Sequence, residues 1–196
     1  MPSTYHHGDL RAALLDAAAR LLRTGGAEAL TLRALAEAVG VSRTAPYRHF
    51  RDKSALLVAV AAEGFERLQA ALNLVNTSET PGLDLFEEMG WAYVRFAIEN
   101  PAHYRLMYGR EAIARREIPA LQSAADAAYD ELVALIETGQ AAGVLRSGDA
   151  GALAYVAWAT VHGLASLLVD GQMEAPEDVE PLARLTARTL LEGLAA

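Results

Sequence analysis

One short segment of this chain gathers side chains of the kinds that read and hold nucleic acid: Thr31, Arg33, Ser42, Arg43, Thr44, Tyr47, Arg48, His49 and Lys53. An arginine can donate two hydrogen bonds to the O6 and N7 of one guanine, and a threonine methyl can meet a thymine methyl. Tyrosine, histidine and lysine donors suit phosphate oxygens. Such a set recognises a charged polymer and makes no covalent bonds.

Side chains arranged for covalent chemistry are missing from the pattern. There is no cysteine, which excludes thiol nucleophiles, disulfides and thiolate-zinc sites. No glycine-rich phosphate loop follows a strand, and no serine sits in a glycine-flanked elbow. Glu87 and Glu88 are adjacent, and adjacent positions on a helix point apart. His6 and His7, neighbours on an arm, cannot by themselves close a metal coordination shell. An enzyme is therefore not expected, and neither is a cofactor or a metal.

A second set of residues is aromatic: Trp91, Tyr93, Phe96, Tyr104, Tyr108 and Trp158, with Met107 and His162. At helical spacing such residues fill a core. Tyrosine and tryptophan also carry polar ends that need partners when buried, and a mostly apolar cavity with few polar groups is what small ligands use. Trp91, Phe96, Tyr104, Tyr108, Trp158 and His162 are the candidate ligand-binding residues. For His162 the competing reading is a core histidine that orients Trp158, four residues earlier.

Positioning these side chains falls to helices. Periodicity, caps and breakers predict nine of them and no strand. The first runs over 9–23, started by Asp9 and stopped by Gly25-Gly26. The second, 32–39, is capped by Thr31 and ended by Gly40. The third, 42–50, is capped by Ser42. A long fourth begins at Asp52 and reaches 75, where a polar stretch ends it. The fifth spans 83–99 and closes at Asn100-Pro101, since the residue before proline resists the helical region. The remaining four span 102–111, 119–142, 150–169 (capped by Asp149) and 176–193.

Residues 32–51 have helix-turn-helix spacing. Ala36 supplies the small residue where two steeply crossed helices touch. Gly40, four residues later, supplies the left-handed backbone position that a tight turn needs. Val39 and Val41 flank the turn as core plugs. Ser42 then opens a helix whose N-terminal end is expected in the major groove, with Arg43, Thr44 and Arg48 outward. Phe50 and Leu56 read as core.

The run from Thr31 to Ser42, with Ala36 and Gly40 inside it, and the run Tyr47-Arg48-His49-Phe50-Arg51-Asp52-Lys53-Ser54-Ala55-Leu56-Leu57 resemble the DNA-binding domain of TetR-family regulators. That resemblance implies that Thr31, Tyr47, His49 and Lys53 hold phosphates while Arg43, Thr44, Ala45 and Arg48 face bases; Arg33 and Ser42 are counted with this DNA-contacting set. It implies an all-α fold with DNA-binding helices in 1–55 and a ligand-binding and dimerising bundle in 56–196. It also implies a homodimer on a palindromic operator, in most such proteins a repressor released by a small-molecule effector. Trp158, His162 and Gly163 are similar to a subclass named for Trp-His-Gly. Pro46 departs from the family, which more often has an aliphatic residue there, and it removes one helix hydrogen bond. The arm Tyr5-His6-His7-Gly8 lacks the basic residues such arms often carry.

Charge fits this division. The chain carries −8 overall, yet residues 1–60 carry +3 and the other 136 carry −11, a basic head on an acidic body. The start of the sequence does not read as a secretory signal, and the absence of cysteine fits a reducing cytoplasm, the expected location. Residues 150–169 hold no charge over a length that could span a bilayer. Alanine richness and the flanking Asp149 and Asp170 favour a buried helix instead, and no membrane partner is expected. The dimer is expected through the eighth and ninth helices, with small residues Ala154, Ala157, Gly163, Ala187 and Gly193 admitting close approach and Leu182, Leu185 and Leu190 as anchors. Twofold symmetry would then set two recognition helices roughly 34–36 Å apart. The long fourth helix is the expected lever between head and body. The alternative is a helical ligand-binding or interaction protein that binds no operator.

Overall fold

A computed structural model describes residues 7–75, 82–108, 118–174 and 176–194. The basic-poor arm at 5–6, the polar stretch at 76–81 and the predicted helix end at 109–111 lie outside the described residues. Within them the chain is all-α: eight α-helices and one 3-10 turn, with no strand.

The first helix, α1 (His7–Ala29), buries Leu14, Leu15, Ala17, Ala18 and Leu22 along one face. The predicted stop at Gly25-Gly26 is a kink inside a longer helical stretch, because Gly26 leaves helical geometry (φ 64°, ψ −171°) and the chain then resumes it. α2 (Leu32–Val39) begins at Thr31, whose Oγ1 accepts the Ala34 N–H at 3.0 Å. It ends at Gly40, φ 74° and ψ 30°. There the Gly40 N–H reaches the Glu37 carbonyl at 3.1 Å and the Val41 N–H reaches Ala36 at 3.0 Å. These bonds satisfy carbonyls that a helix end would otherwise leave open. The predicted third helix is not an α-helix: only a 3-10 turn, Pro46–Arg48, forms there. That accounts for eight α-helices where nine were expected.

α3 (Lys53–Val75) starts at Asp52, whose Oδ1 accepts the Ala55 N–H at 2.8 Å. That bond first, and then Arg51, hold the Asp52 carboxyl below the usual carboxylate range. α4 (Leu83–Glu99) ends where the Asn100 backbone and side-chain amides both donate to the Phe96 carbonyl, at 2.9 and 3.0 Å. α5 (Pro101–Tyr108) follows directly, then α6 (Pro119–Ala141), α7 (Ala150–Val169) and α8 (Glu180–Leu194). Asp149 caps α7 as expected, accepting the Ala152 N–H at 3.1 Å.

Two compact units divide the chain inside α3, after Gly64. One holds residues 1–64 and 101–121, so α5 belongs with α1, α2 and the start of α3. Its core includes Leu14, Leu30, Leu35, Leu56 and Val60. Gly64 permits the close approach of α5, since a Cβ there would lie 2.5 Å from Met107 Sδ. The other unit holds 65–100 and 122–196, built around Phe86, Leu135, Ile136, Leu145, Leu153, Ala154 and Leu191. Here α4 packs on α7 and α8. Arg188 grips Glu87 through two 2.9 Å bonds, and Arg184 joins Glu88 at 2.6 Å and Glu180 at 2.7 Å. Those guanidinium bonds pull the Glu87 carboxyl below its ordinary range against the opposing effect of burial.

α7 differs from the buried helix that its composition suggests. Only 22% of its most apolar window is buried. Leu153, Ala154, Leu164, Ala165 and Val169 face inward, whereas Tyr155, Val156 and Leu167 are exposed on the single chain. An apolar side therefore stays uncovered.

Candidate nucleic-acid interface

In the first unit, α2 and the turn that follows present the donor set on the surface. Thr31, Arg33, Ser42, Arg43, Thr44 and Arg48 are exposed, and Tyr47 is exposed to 57%. Ala45, His49 and Lys53 are half-buried. Leu32, Leu35, Ala36, Pro46 and Phe50 turn inward and fix the backbone beneath them. Val39 and Val41 are only half-buried flanks of the turn.

Each donor is held by a local cause. The Thr31 hydroxyl accepts from Ala34 as a cap, so its own O–H remains available to donate outward. Lys53 donates to the Ala27 carbonyl, which ties the start of α3 to the end of α1; an ammonium has three donors, and two remain. Ser42 departs from a capping role, because its hydroxyl pairs with Thr44 Oγ1 at 3.3 Å. The rings of His49 and Phe50 lie 6.3 Å apart, and the Arg11 guanidinium sits 5.9 Å from the Phe50 ring. Arg11 is exposed and adds positive charge beside the turn. The sequence reading missed it, since nothing in local spacing tells that α1 passes this point.

The candidate ligand-binding residues are divided between the two units. Tyr104 and Tyr108 lie in the first unit, ring to ring at 5.4 Å. Trp91, Phe96, Trp158 and His162 lie in the second. Phe96 is buried core, and Trp91 is half-buried with Arg95 over its ring at 5.9 Å. Trp158 and His162 meet at 5.3 Å between ring centroids. Tyr93, read from the sequence as core, joins them: its hydroxyl accepts from Trp158 Nε1 at 3.2 Å and lies 2.9 Å from His162 Nδ1. Indole only donates. The chain of bonds is complete when Tyr93 donates to an unprotonated Nδ1. Tyr129 and Tyr155 extend the cluster, 4.6 Å apart.

The expected dimer residues, all in the second unit, differ in exposure. Gly163, Leu185 and Gly193 are exposed, and Ala157, Leu182 and Leu190 are half-buried. Ala154 and Ala187 are not available to a partner, being buried inside the chain at 0% and 4% exposure. Ala187 is the neighbour that Gly90 accommodates, where a Cβ would come within 2.9 Å. Tyr155, Val156 and Leu167, not among the residues expected at the dimer, are the large apolar side chains that α7 does expose. Leu182 and Leu185 also line an open groove with Glu174, Pro176, Asp178 and Pro181.

Two family models of bacterial regulators match this chain. Residues 14–60 match the family model of bacterial regulatory proteins of the tetR family, and residues 86–190 match that of the tetracyclin repressor-like C-terminal domain. A Rhodococcus sp. RHA1 structure of a protein with unknown function superposes with a TM-score of 0.85 at 38% identity, covering 100% of both chains. The HTH-type transcriptional regulator YobS of Bacillus subtilis is 26% identical over 92% of this chain and 90% of its own length. The HTH-type transcriptional repressor Rv1474c of Mycobacterium tuberculosis is 43% identical, but over 33% of this chain and only 35% of its own length. With a helix-turn-helix that carries its donors outward and family matches over both its N-terminal and C-terminal parts, this chain belongs to the TetR family of transcriptional regulators.

Proposed function

We propose that the chain is a cytoplasmic, ligand-responsive repressor that binds a palindromic operator as a homodimer and leaves it when a small-molecule effector binds. One observation carries the DNA half of this reading. Thr31, Arg33, Arg43, Thr44, Tyr47 and Arg48 all stand exposed on one helix-turn-helix whose inward residues are apolar. In that reading Thr31, Tyr47, His49 and Lys53 hold phosphates, and Arg43, Thr44, Ala45 and Arg48 face bases. DNA binding is the task of 1–55, and 56–196 serves effector and partner.

Support for the dimer is the set of large apolar side chains left exposed on α7, Tyr155, Val156 and Leu167, with Leu185 on α8. Gly163 and Gly193 lie open on these helices and admit close approach of a second backbone. For the effector, the aromatic group of Trp158, His162 and Tyr93 on α4 and α7 offers apolar faces with few polar ends. Trp91 and Trp158 are the two tryptophans of the chain, so ligand binding near either is readable as a change in intrinsic fluorescence.

Binding-site selection on random duplexes tests the proposal. Enrichment of an inverted repeat with half-sites about one helical turn apart is the expected result. Enrichment of no sequence would favour a helical ligand-binding protein that touches no operator.

A further inference from the structure

We propose that Pro46 sets which bases this chain selects, by withholding the first main-chain hydrogen bond that an α-helical recognition segment would make. The inference rests on the reading of residues 42–53 as the segment that docks on DNA. Counting from Ser42, residue 46 is the first whose N–H would reach back four residues to a helix-opening carbonyl. Proline has no N–H. The Ser42 carbonyl instead takes the N–H of Ala45, three residues on, at 2.9 Å.

The tighter spacing then propagates. Arg48 donates to the Ala45 carbonyl at 3.2 Å and His49 to Pro46 at 3.0 Å; a four-residue bond returns at Phe50, which donates to Pro46 at 2.9 Å. The outcome is the 3-10 turn over Pro46–Arg48. Pro46 itself is buried while Arg43, Thr44, Tyr47 and Arg48 around it are exposed. Its influence on DNA therefore passes through the backbone and not through contact.

Winding decides where those exposed side chains point. Residues three apart eclipse in a 3-10 turn, whereas an α-helix sets them about 60° apart. Thr44 with Tyr47, and Ala45 with Arg48, are such pairs. Turning Arg48 through part of that angle carries its guanidinium, at the end of a long side chain, a distance on the order of the ~3.4 Å between successive bases. The base that Arg48 meets thus depends on the bond that Pro46 omits.

The test is binding-site selection from random duplexes by the full chain as wild type, Pro46→Ala and Pro46→Leu, followed by affinity on each selected site across salt concentrations and a melting curve for each protein. Both substitutions restore the N–H, and leucine also keeps apolar volume in the buried position. The expected result is that both variants enrich a half-site altered at the same positions. Each should lose tenfold or more on the wild-type site, recover on its own site, and keep the wild-type salt slope because the phosphate donors are untouched. Selection of the wild-type half-site by both variants, with affinity within twofold, overturns the proposal and leaves the docking reading standing. A change confined to Pro46→Ala overturns it too, since ring bulk would then set the readout. Enrichment of nothing by the wild type removes the docking reading itself. If Pro46→Ala does not fold, Pro46→Leu carries the comparison.

Discussion

Arg48 at the end of the 3-10 turn and Lys53 at the start of α3 are assigned different work, so they separate phosphate holding from base reading. Arg48→Ala is expected to relax preference at one base position, at a cost of about 1–3 kcal/mol on the preferred sequence. Lys53→Ala is expected to weaken all sequences alike and to reduce the salt slope by about one per half-site. Electrophoretic or anisotropy titrations on matched and mismatched duplexes check both. Lys53 also ties to Ala27, so its variant is compared below its own melting temperature. Gly40→Ala is expected to cost about 1 kcal/mol in thermal unfolding. A Cβ there meets nothing within 4 Å, and the left-handed backbone is the whole of the penalty. Residues of this kind were legible in the sequence because their causes are local: the Thr31 cap, the Gly40 turn and the Asp149 cap all stand where their types require. Tyr93 and Arg11 were not, because their partners come from helices far away in sequence.

Helices were legible to the extent that their ends are written in caps and breakers. α2, α4 and α7 fall within a residue or so of their expected spans. The segment 42–50 was expected as a helix and holds only the short 3-10 turn Pro46–Arg48, although the missing hydrogen bond at Pro46 was visible in the sequence; its effect on winding depends on which neighbour takes the Ser42 carbonyl. α7 was misjudged for another reason. An apolar helix can face a core or a missing partner, and the sequence does not say which. The clamp between α4 and α8 makes stability depend on pH. The Glu87 carboxyl is held below its ordinary range by Arg188, so its folded pKa is depressed. Its stabilisation is complete above the ordinary carboxylate range and is lost as pH falls through the depressed value. Glu87→Gln should therefore lower the melting temperature at neutral pH, by no more than about 2–4 °C because Arg188 is largely exposed. The gap between variant and wild type should close on acidification below about pH 4. Melting curves from pH 3 to 7 read this directly.

For the molecule as a whole, the head-and-body division implied by charge corresponds only partly to compact units. α5 groups with the N-terminal helices because Gly64 admits Met107, a relation between residues that sequence spacing does not display. The uncovered face of α7, with Leu185 of α8, is where a second copy would pack. Tyr155→Glu combined with Leu185→Glu should shift the protein from dimer to monomer in sedimentation equilibrium, because both side chains are more than half exposed on the single chain; Tyr155 also packs on Tyr129, so a melting curve is taken to show that the variant is folded. Operator affinity should fall with it by tenfold or more, since two half-sites would no longer be held together. An unchanged dimer would place the interface elsewhere.

The proposed repressor stands on this helix-turn-helix reading a specific DNA sequence. The most direct measurement is equilibrium anisotropy of the wild-type chain on its selected duplex and on a scrambled duplex of equal length, repeated from low to physiological salt. The selected duplex should be bound about 10³-fold or more tightly than the scrambled one, with both affinities falling as salt rises. Equal affinity for the two duplexes, or no dependence on salt, would contradict the account.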